Sequence, residues 1–173
     1  MKKTAFDPLA LRDFWTLSLG QFLVFVGFFA FFQFPLYIKE LGGGEREIGL
    51  IMGVTSLASA LLLPWITGVV ERTERKGVML VGVVLLEAAT VACMTTTAPD
   101  LWMGVLMLTR GFGFAVFMNA AGVYIAGILP PGERSRWIGI NFGFNQLAIG
   151  IGPYFAELMI QKVNYLFFFV MSA

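Results

Sequence analysis

Histidine is absent from this 173-residue chain, cysteine occurs once, at Cys93, and only 13% of the residues are charged. Without histidine there is no Ser-His-Asp or Cys-His nucleophilic site and no imidazole metal ligand. One cysteine closes no internal disulfide and builds no thiolate metal cluster. A net charge of +1 gives no basic field for nucleic acid. Nothing implies a cofactor. Soluble domains carry about 25% charged residues, so a water-soluble globule fits poorly. Disorder needs low hydrophobicity, whereas 58% of this chain is hydrophobic.

Charge is missing in long blocks. Residues 14–38, 48–70 and 137–156 carry none, residues 77–99 carry only Glu87, and the stretch from Leu101 to Gly132 only Arg110. The hydrocarbon core of a bilayer is about 30 Å thick and needs about 20 apolar residues to cross it as a helix. The runs are too long and continuous for barrel strands, which alternate over about 10 residues. Backbone groups in lipid must be satisfied within the segment, which leaves helices. The fold class predicted is an all-α membrane protein, an antiparallel bundle forming one domain over 1–173. Its expected spans are about 14–38, 48–70, 77–99, 101–128, 137–160 and an incomplete 165–173. The first run is too long for a signal-peptide core and no clear cleavage site follows it. An apolar helix stopping at half length would leave open carbonyls in lipid, so the sequence is expected to continue past Ala173.

Lysine and arginine set the expected orientation. The N-terminal segment and alternate loops hold Lys2, Lys3, Arg12, Arg72, Arg75, Lys76, Arg134 and Arg136, against Lys39, Arg46 and Lys162 on the other side. The first group should be cytoplasmic, placing a multi-pass protein in the cell membrane with its N-terminus inside.

The loop between the second and third spans runs from Gly68 through Glu71, Arg72 and Glu74 to Arg75 and Lys76, with Pro64 one turn earlier. It resembles the Gly-x-x-x-Asp-Arg-x-Gly-Arg-Arg/Lys signature of the major facilitator superfamily. Gly68, Arg72, Arg75 and Lys76 are read as the matches, Glu71 stands for the aspartate and Glu74 for the second glycine. Arg110, Gly111 and Gly113 resemble the family's arginine-glycine motif in the fourth helix. The run Ala148–Ala156 resembles its Gly-x-x-x-Gly-Pro-x-x-Gly antiporter motif, with Gly152 and Pro153 strict matches and Ala148 and Ala156 small substitutes. The resemblance covers the whole chain as the N-terminal six-helix half of that fold. It implies a conformational gate at Gly68, Glu71, Arg72, Arg75 and Lys76, since ion pairs at a helix end can hold one state and break in the other.

Glu87 lies 11 residues past Lys76 and Arg110 lies 10 past Asp100. At 1.5 Å per residue both are about 15 Å deep, near the midplane of the bilayer. Charge there costs about 2.5–3.5 kcal/mol, so both should face protein or a wet cavity. Glu87 and Arg110 are expected to pair, in a central cavity or proton-coupling site. Asn145 is a further cavity candidate at similar depth. Asn145 suits either solute contact or an interhelical hydrogen bond, and Gln21, Asn119, Asn141 and Gln146 also fall within spans as weaker polar signals. Gly139 and Gly143 read as helix packing, and the phenylalanines as lipid-facing or packing residues.

The resemblance implies a secondary transporter of small organic solutes; sugar uptake, metabolite uptake and drug efflux are all open to it, the antiporter-like motif favours efflux, and Glu87 offers proton coupling. Such a transporter would work by alternating access and need the C-terminal half of the same chain, so this half alone would be inactive. The partners implied are a small-molecule substrate, the lipid bilayer and that second half. The alternative is a non-transporting membrane receptor or assembly subunit on the same fold. An enzyme is not expected, because no span holds the aspartates of intramembrane proteases or phosphatidyl transferases.

Overall fold

The computed structural model describes residues 8–162, all helices and their connections. The order is α1 (Pro8–Ala30), a 3₁₀ turn (Phe31–Gln33), α2 (Phe34–Glu40), α3 (Glu45–Arg72), α4 (Arg75–Ala92), a second 3₁₀ turn (Cys93–Thr95), α5 (Leu101–Ile128) and α6 (Arg134–Lys162). Four stretches are long and apolar enough to cross a membrane: Pro8–Glu40, Glu45–Arg72, Arg75–Thr95 and Leu101–Ile128. The fifth expected span lies within α6, 29 residues long but more polar, with Asn141, Asn145 and Gln146 along it. The expected sixth span, 165–173, lies outside the described residues.

The first span, expected as one helix, is broken. Pro35 has no N–H to give to the carbonyl of Phe31. That carbonyl takes the Phe34 N–H instead, which is 3₁₀ geometry. The third span ends earlier than expected. The Thr95 and Thr96 hydroxyls donate to the carbonyls of Ala92 and Cys93 at 2.7 and 2.5 Å, competing with helix propagation. Tyr37 Oη donates to the Thr96 carbonyl at 2.9 Å, fastening this turn to α2.

Local chemistry sets the other ends. After α2 the chain reverses through Gly42 at φ 84°, the one position with positive φ among the described residues. Glu47 Oε2 accepts the Gly44 N–H at 3.0 Å at the start of α3, and Asp100 Oδ1 caps α5 by accepting the Met103 N–H at 3.0 Å.

Because lipid is as apolar as leucine, burial alone does not hold such helices together; close backbone approach at small residues does. A Cβ on Gly82 would meet the Phe117 nitrogen at 2.6 Å, and one on Gly113 the Leu86 nitrogen at 2.6 Å, so α4 and α5 cross on a glycine pair. A Cβ on Gly111 would strike the Thr55 carbonyl of α3, and one on Gly152 would sit 2.7 Å from the Val26 carbonyl of α1. The strongest packing follows these crossings: α4 and α3 against α5, and α1 against α6. The bundle is thus two bodies, α3–α4–α5 and α1–α6, joined along a thinner seam. Gly139 and Gly143, expected as packing glycines, are exposed and meet nothing within 4 Å. Their face of α6 is turned away from α1, which Ala148, Gly152 and Ala156 pack against. Leu61, Trp65 and Leu101 are 70%, 78% and 85% exposed, a distribution suited to lipid as solvent.

Candidate functional site

The expected pairing of Arg110 with Glu87 is not formed. Arg110 is buried, donating from Nε to Thr90 Oγ1 at 3.1 Å and from a terminal nitrogen to the Phe28 carbonyl at 3.2 Å. Its guanidinium carbon lies 4.5 and 3.9 Å from the ring centroids of Phe28 and Phe31. Thr90 is oriented for this: its hydroxyl donates to the Leu86 carbonyl at 2.9 Å, which leaves lone pairs for Nε. Glu87 lies on α4 one turn before Thr90 and makes no ion pair; the described ion pairs are Arg12–Asp13 and Lys39–Glu45. Its Oε2 is buried with no hydrogen-bond partner. Side chains lean toward the N-terminus of their own helix. On antiparallel α4 and α5 that tilt carries Glu87 and Arg110 apart, and Arg110 reaches the break in α1 instead.

Asn145 is not in an open cavity either. Asn141 Nδ2 donates to Ser18 Oγ at 2.9 Å and to Gln21 Oε1 at 2.8 Å, and Asn145 Nδ2 donates to Asn141 Oδ1 at 3.3 Å. All four are buried between α1 and α6. Gln146, the next residue, is exposed.

The loop motif gathers at one end of the bundle, called here the basic end. Lys76 Nζ lies 5.5 Å from the Tyr124 ring centroid. A Cβ on Gly127 would meet an Arg75 guanidinium nitrogen at 2.8 Å, so Arg75 covers the C-terminal turn of α5, where the helix dipole favours a cation. Among the described residues, Glu71, Arg72, Arg75 and Lys76 make no ion pair, and Glu74, just before α4, gives that helix no side-chain cap. Gly68 stands one residue closer to Glu71 than the signature requires, and Thr67 holds the signature position. A Cβ on Gly68 would meet nothing within 4 Å, so it is not a helix-contact glycine here. It lines an open hollow of about 500 Å³ with Pro64, Trp65, Val69, Arg72 and Thr73. In α6, Gly152 packs on α1, Ala148 and Ala156 are buried on the same face, and Pro153 sits inside the helix.

The cavity that best suits a solute uses residues not singled out as a site from sequence. About 570 Å³ lies between α1, α3 and α5. Phe25, Phe28, Phe29 and Phe114 form its aromatic side, Leu63 and Met118 add apolar wall, and Thr55, Ser56, Ser59 and Asn119 are its polar residues. Phe28 and Phe114 stack with centroids 3.7 Å apart across the seam. No charged residue lines it. The available signal was Asn119 and Ser59, polar residues inside apolar runs; eighteen phenylalanines gave no sign of which four would converge.

The profile of the Major Facilitator Superfamily matches residues 17–173. The chain is 26% identical over 156 residues to the quinolone resistance protein NorA of Staphylococcus aureus, covering 85% of this chain and 39% of that protein. It is 23% identical over 138 residues to the efflux transporter aclA of Aspergillus oryzae, covering 80% of this chain and 25% of that one. The chain therefore spans a quarter to two-fifths of the length of these relatives. Its helices, its glycine crossings and the match over nine-tenths of its length agree: this is a multi-pass membrane protein, not an enzyme, and it belongs to the Major Facilitator Superfamily of transporters.

Proposed function

We propose that the chain forms the N-terminal helical wall of a secondary transporter of small organic solutes, with the α1–α3–α5 cavity as its side of the solute path. The observation that carries this is the cavity itself: a drug-sized space, largely apolar, with a few polar groups, as solute sites usually are. A second bundle from the C-terminal half of the protein would close it, and transport would proceed by rocking one bundle on the other. The greater length of the two relatives supports that completion. Both relatives are named for efflux or resistance, which supports outward transport of organic compounds. The basic end faces the cytoplasm in this reading, by the lysine and arginine bias of the loops, in the cell membrane. The unpaired Glu71, Arg72, Arg75 and Lys76 are then the gate surface, available to the other bundle in one state. Glu87 is the proton-coupling residue: an acid within a span, one oxygen buried and unpartnered.

The test is transport by the full-length protein in proteoliposomes, driven by an imposed pH gradient and read with a fluorescent aromatic solute. Ala60→Trp, which fills the cavity, should abolish transport. Leu61→Trp, on an exposed face of the same helix, should leave it intact. Equal rates for both variants would refute the cavity as the path. Glu87→Gln should uncouple transport from the gradient, and gradient-driven rates unchanged from wild type would remove its proton role.

A further inference from the structure

A cation stands behind the aromatic side of the α1–α3–α5 cavity. Phe114 lies on Phe28 nearly parallel, at 12° and 3.7 Å between centroids. The Arg110 guanidinium carbon is 4.5 Å from the same Phe28 centroid. Two groups cannot share one ring face at those distances, so they take opposite faces, and the layers run Arg110, Phe28, Phe114. Phe28 and Phe114 both line the cavity. With its two faces covered, Phe28 has its rim left for a solute, and the rim is the positive part of a ring. Phe25 leans on Phe29 and on Phe114, and Phe29 meets Phe28 edge to face, so these rings pack on each other and leave no open cage for a cation. No carboxylate holds the arginine's charge. Its hydrogen bonds go to a hydroxyl and a carbonyl, both neutral, and among the described residues it makes no ion pair with Glu87 or any other acid. The polar residues of the wall, Thr55, Ser56, Ser59 and Asn119, are neutral too. Arg110 is buried and need not touch a solute, because charge acts through a ring. A solute against Phe28 lies within about 9 Å of the guanidinium carbon, where a unit charge at an effective dielectric of about 20 changes affinity about twentyfold.

We propose that this cavity excludes cationic solutes and admits neutral and anionic ring compounds, with Arg110 setting that choice through Phe28. The proposal rests on the cavity being the solute site and adds the charge class that the site takes. A cation entering meets a ring rim and a fixed like charge, with no carboxylate on the wall to offset either. An anion of the same shape meets that charge as attraction. Both ions give up water on entering, so the difference between them reports the sign of the local field.

The test uses probes of one shape and different charge: 2-naphthoate, 2-naphthamide and 2-naphthamidine, which are anion, neutral and cation at neutral pH. Each is titrated by saturation-transfer NMR against the full-length protein in nanodiscs of a zwitterionic lipid, with empty nanodiscs subtracting partition into lipid. The wild type should bind the naphthoate at least about tenfold more tightly than the naphthamidine. Thr90→Asp leaves Arg110 and its rings in place and sets a carboxylate where Nε now meets a hydroxyl. The preference should then fall to within about threefold of unity, with the naphthamide bound as in wild type. Arg110→Met should lose the preference in the same way, and Arg110→Lys, which breaks the fork but keeps the charge, should retain it. Loss of packing alone would weaken all the probes together. A naphthamidine bound by the wild type as tightly as the naphthoate overturns the proposal, as does a preference that survives Thr90→Asp. If no probe binds, or Ala60→Trp leaves naphthamide binding unchanged, the cavity reading itself falls, and this proposal with it.

Discussion

Replacing Arg110 with methionine is the sharpest perturbation the fold offers. Methionine keeps much of the side chain's apolar volume and removes the guanidinium. Lost with it are the bonds to Thr90 Oγ1 and the Phe28 carbonyl and the stacking on Phe28 and Phe31. Hydrogen bonds to charged groups contribute about 1.5–3 kcal/mol each, and cation–π contacts about 0.5–2. Against these stands the cost of holding a cation out of water, which methionine does not bear. The balance is a destabilisation of about 2–4 kcal/mol, including the Phe28 carbonyl left without its donor. Lysine should recover only part, because a single ammonium cannot span both acceptors as a planar fork does. Thr90→Val should cost about 1 kcal/mol, and a double-mutant cycle between the two positions should show coupling of about that size. Unfolding in mixed micelles with increasing SDS, followed by circular dichroism, measures the wild type and all four variants. An Arg110→Met variant within about 0.5 kcal/mol of wild type, or strict additivity with Thr90→Val, would refute the idea that this arginine ties α1 to α4 and α5.

Three further outcomes are expected in the same assay. Gly113→Leu should destabilise by at least about 2 kcal/mol, because its Cβ would run into the Leu86 backbone, whereas Gly139→Ala and Gly143→Ala should stay within about 0.5 kcal/mol. Asn141→Leu should cost about 1 kcal/mol by breaking two buried bonds to α1, a typical interhelical value in membranes, and unchanged stability would show those bonds to be idle. Glu87→Gln should leave stability unchanged or raise it by about 1 kcal/mol, since it removes a desolvated acid with an unpartnered oxygen; a comparable loss would reveal a partner for the carboxylate.

How much of this was legible beforehand varied with the kind of force involved. Lengths of uncharged sequence gave the helices, because lipid admits few alternatives. Arg110 was recognisable as special from its charge alone, but its partner was not: depth counts place two residues at one level and say nothing of the direction in which each side chain leans. Pro35 carried the break in α1 in plain view, yet its effect depends on which carbonyl loses a donor. The glycines divided similarly. Gly152, Gly111 and Gly113 sit at crossings while Gly139, Gly143 and Gly68 face open space, and the difference lies in helix rotation. The cavity was least visible, since it is made by convergence of α1, α3 and α5.

The seam between the α3–α4–α5 body and the α1–α6 pair has a mechanical meaning. Within each body, backbones touch at glycine and cannot slide without collision. Between the bodies the links are side chains: a hydrophobic cluster that packs Phe31 and Ala156 with Ile51 and Met107, a second of Phe14 with Ile125 and Leu129, an aromatic stack, one tyrosine–aspartate bond at 3.3 Å and Arg110 at the break in α1. The two bodies can therefore shift against each other only by unpacking side chains, with the buried Arg110 as the charged tie between them.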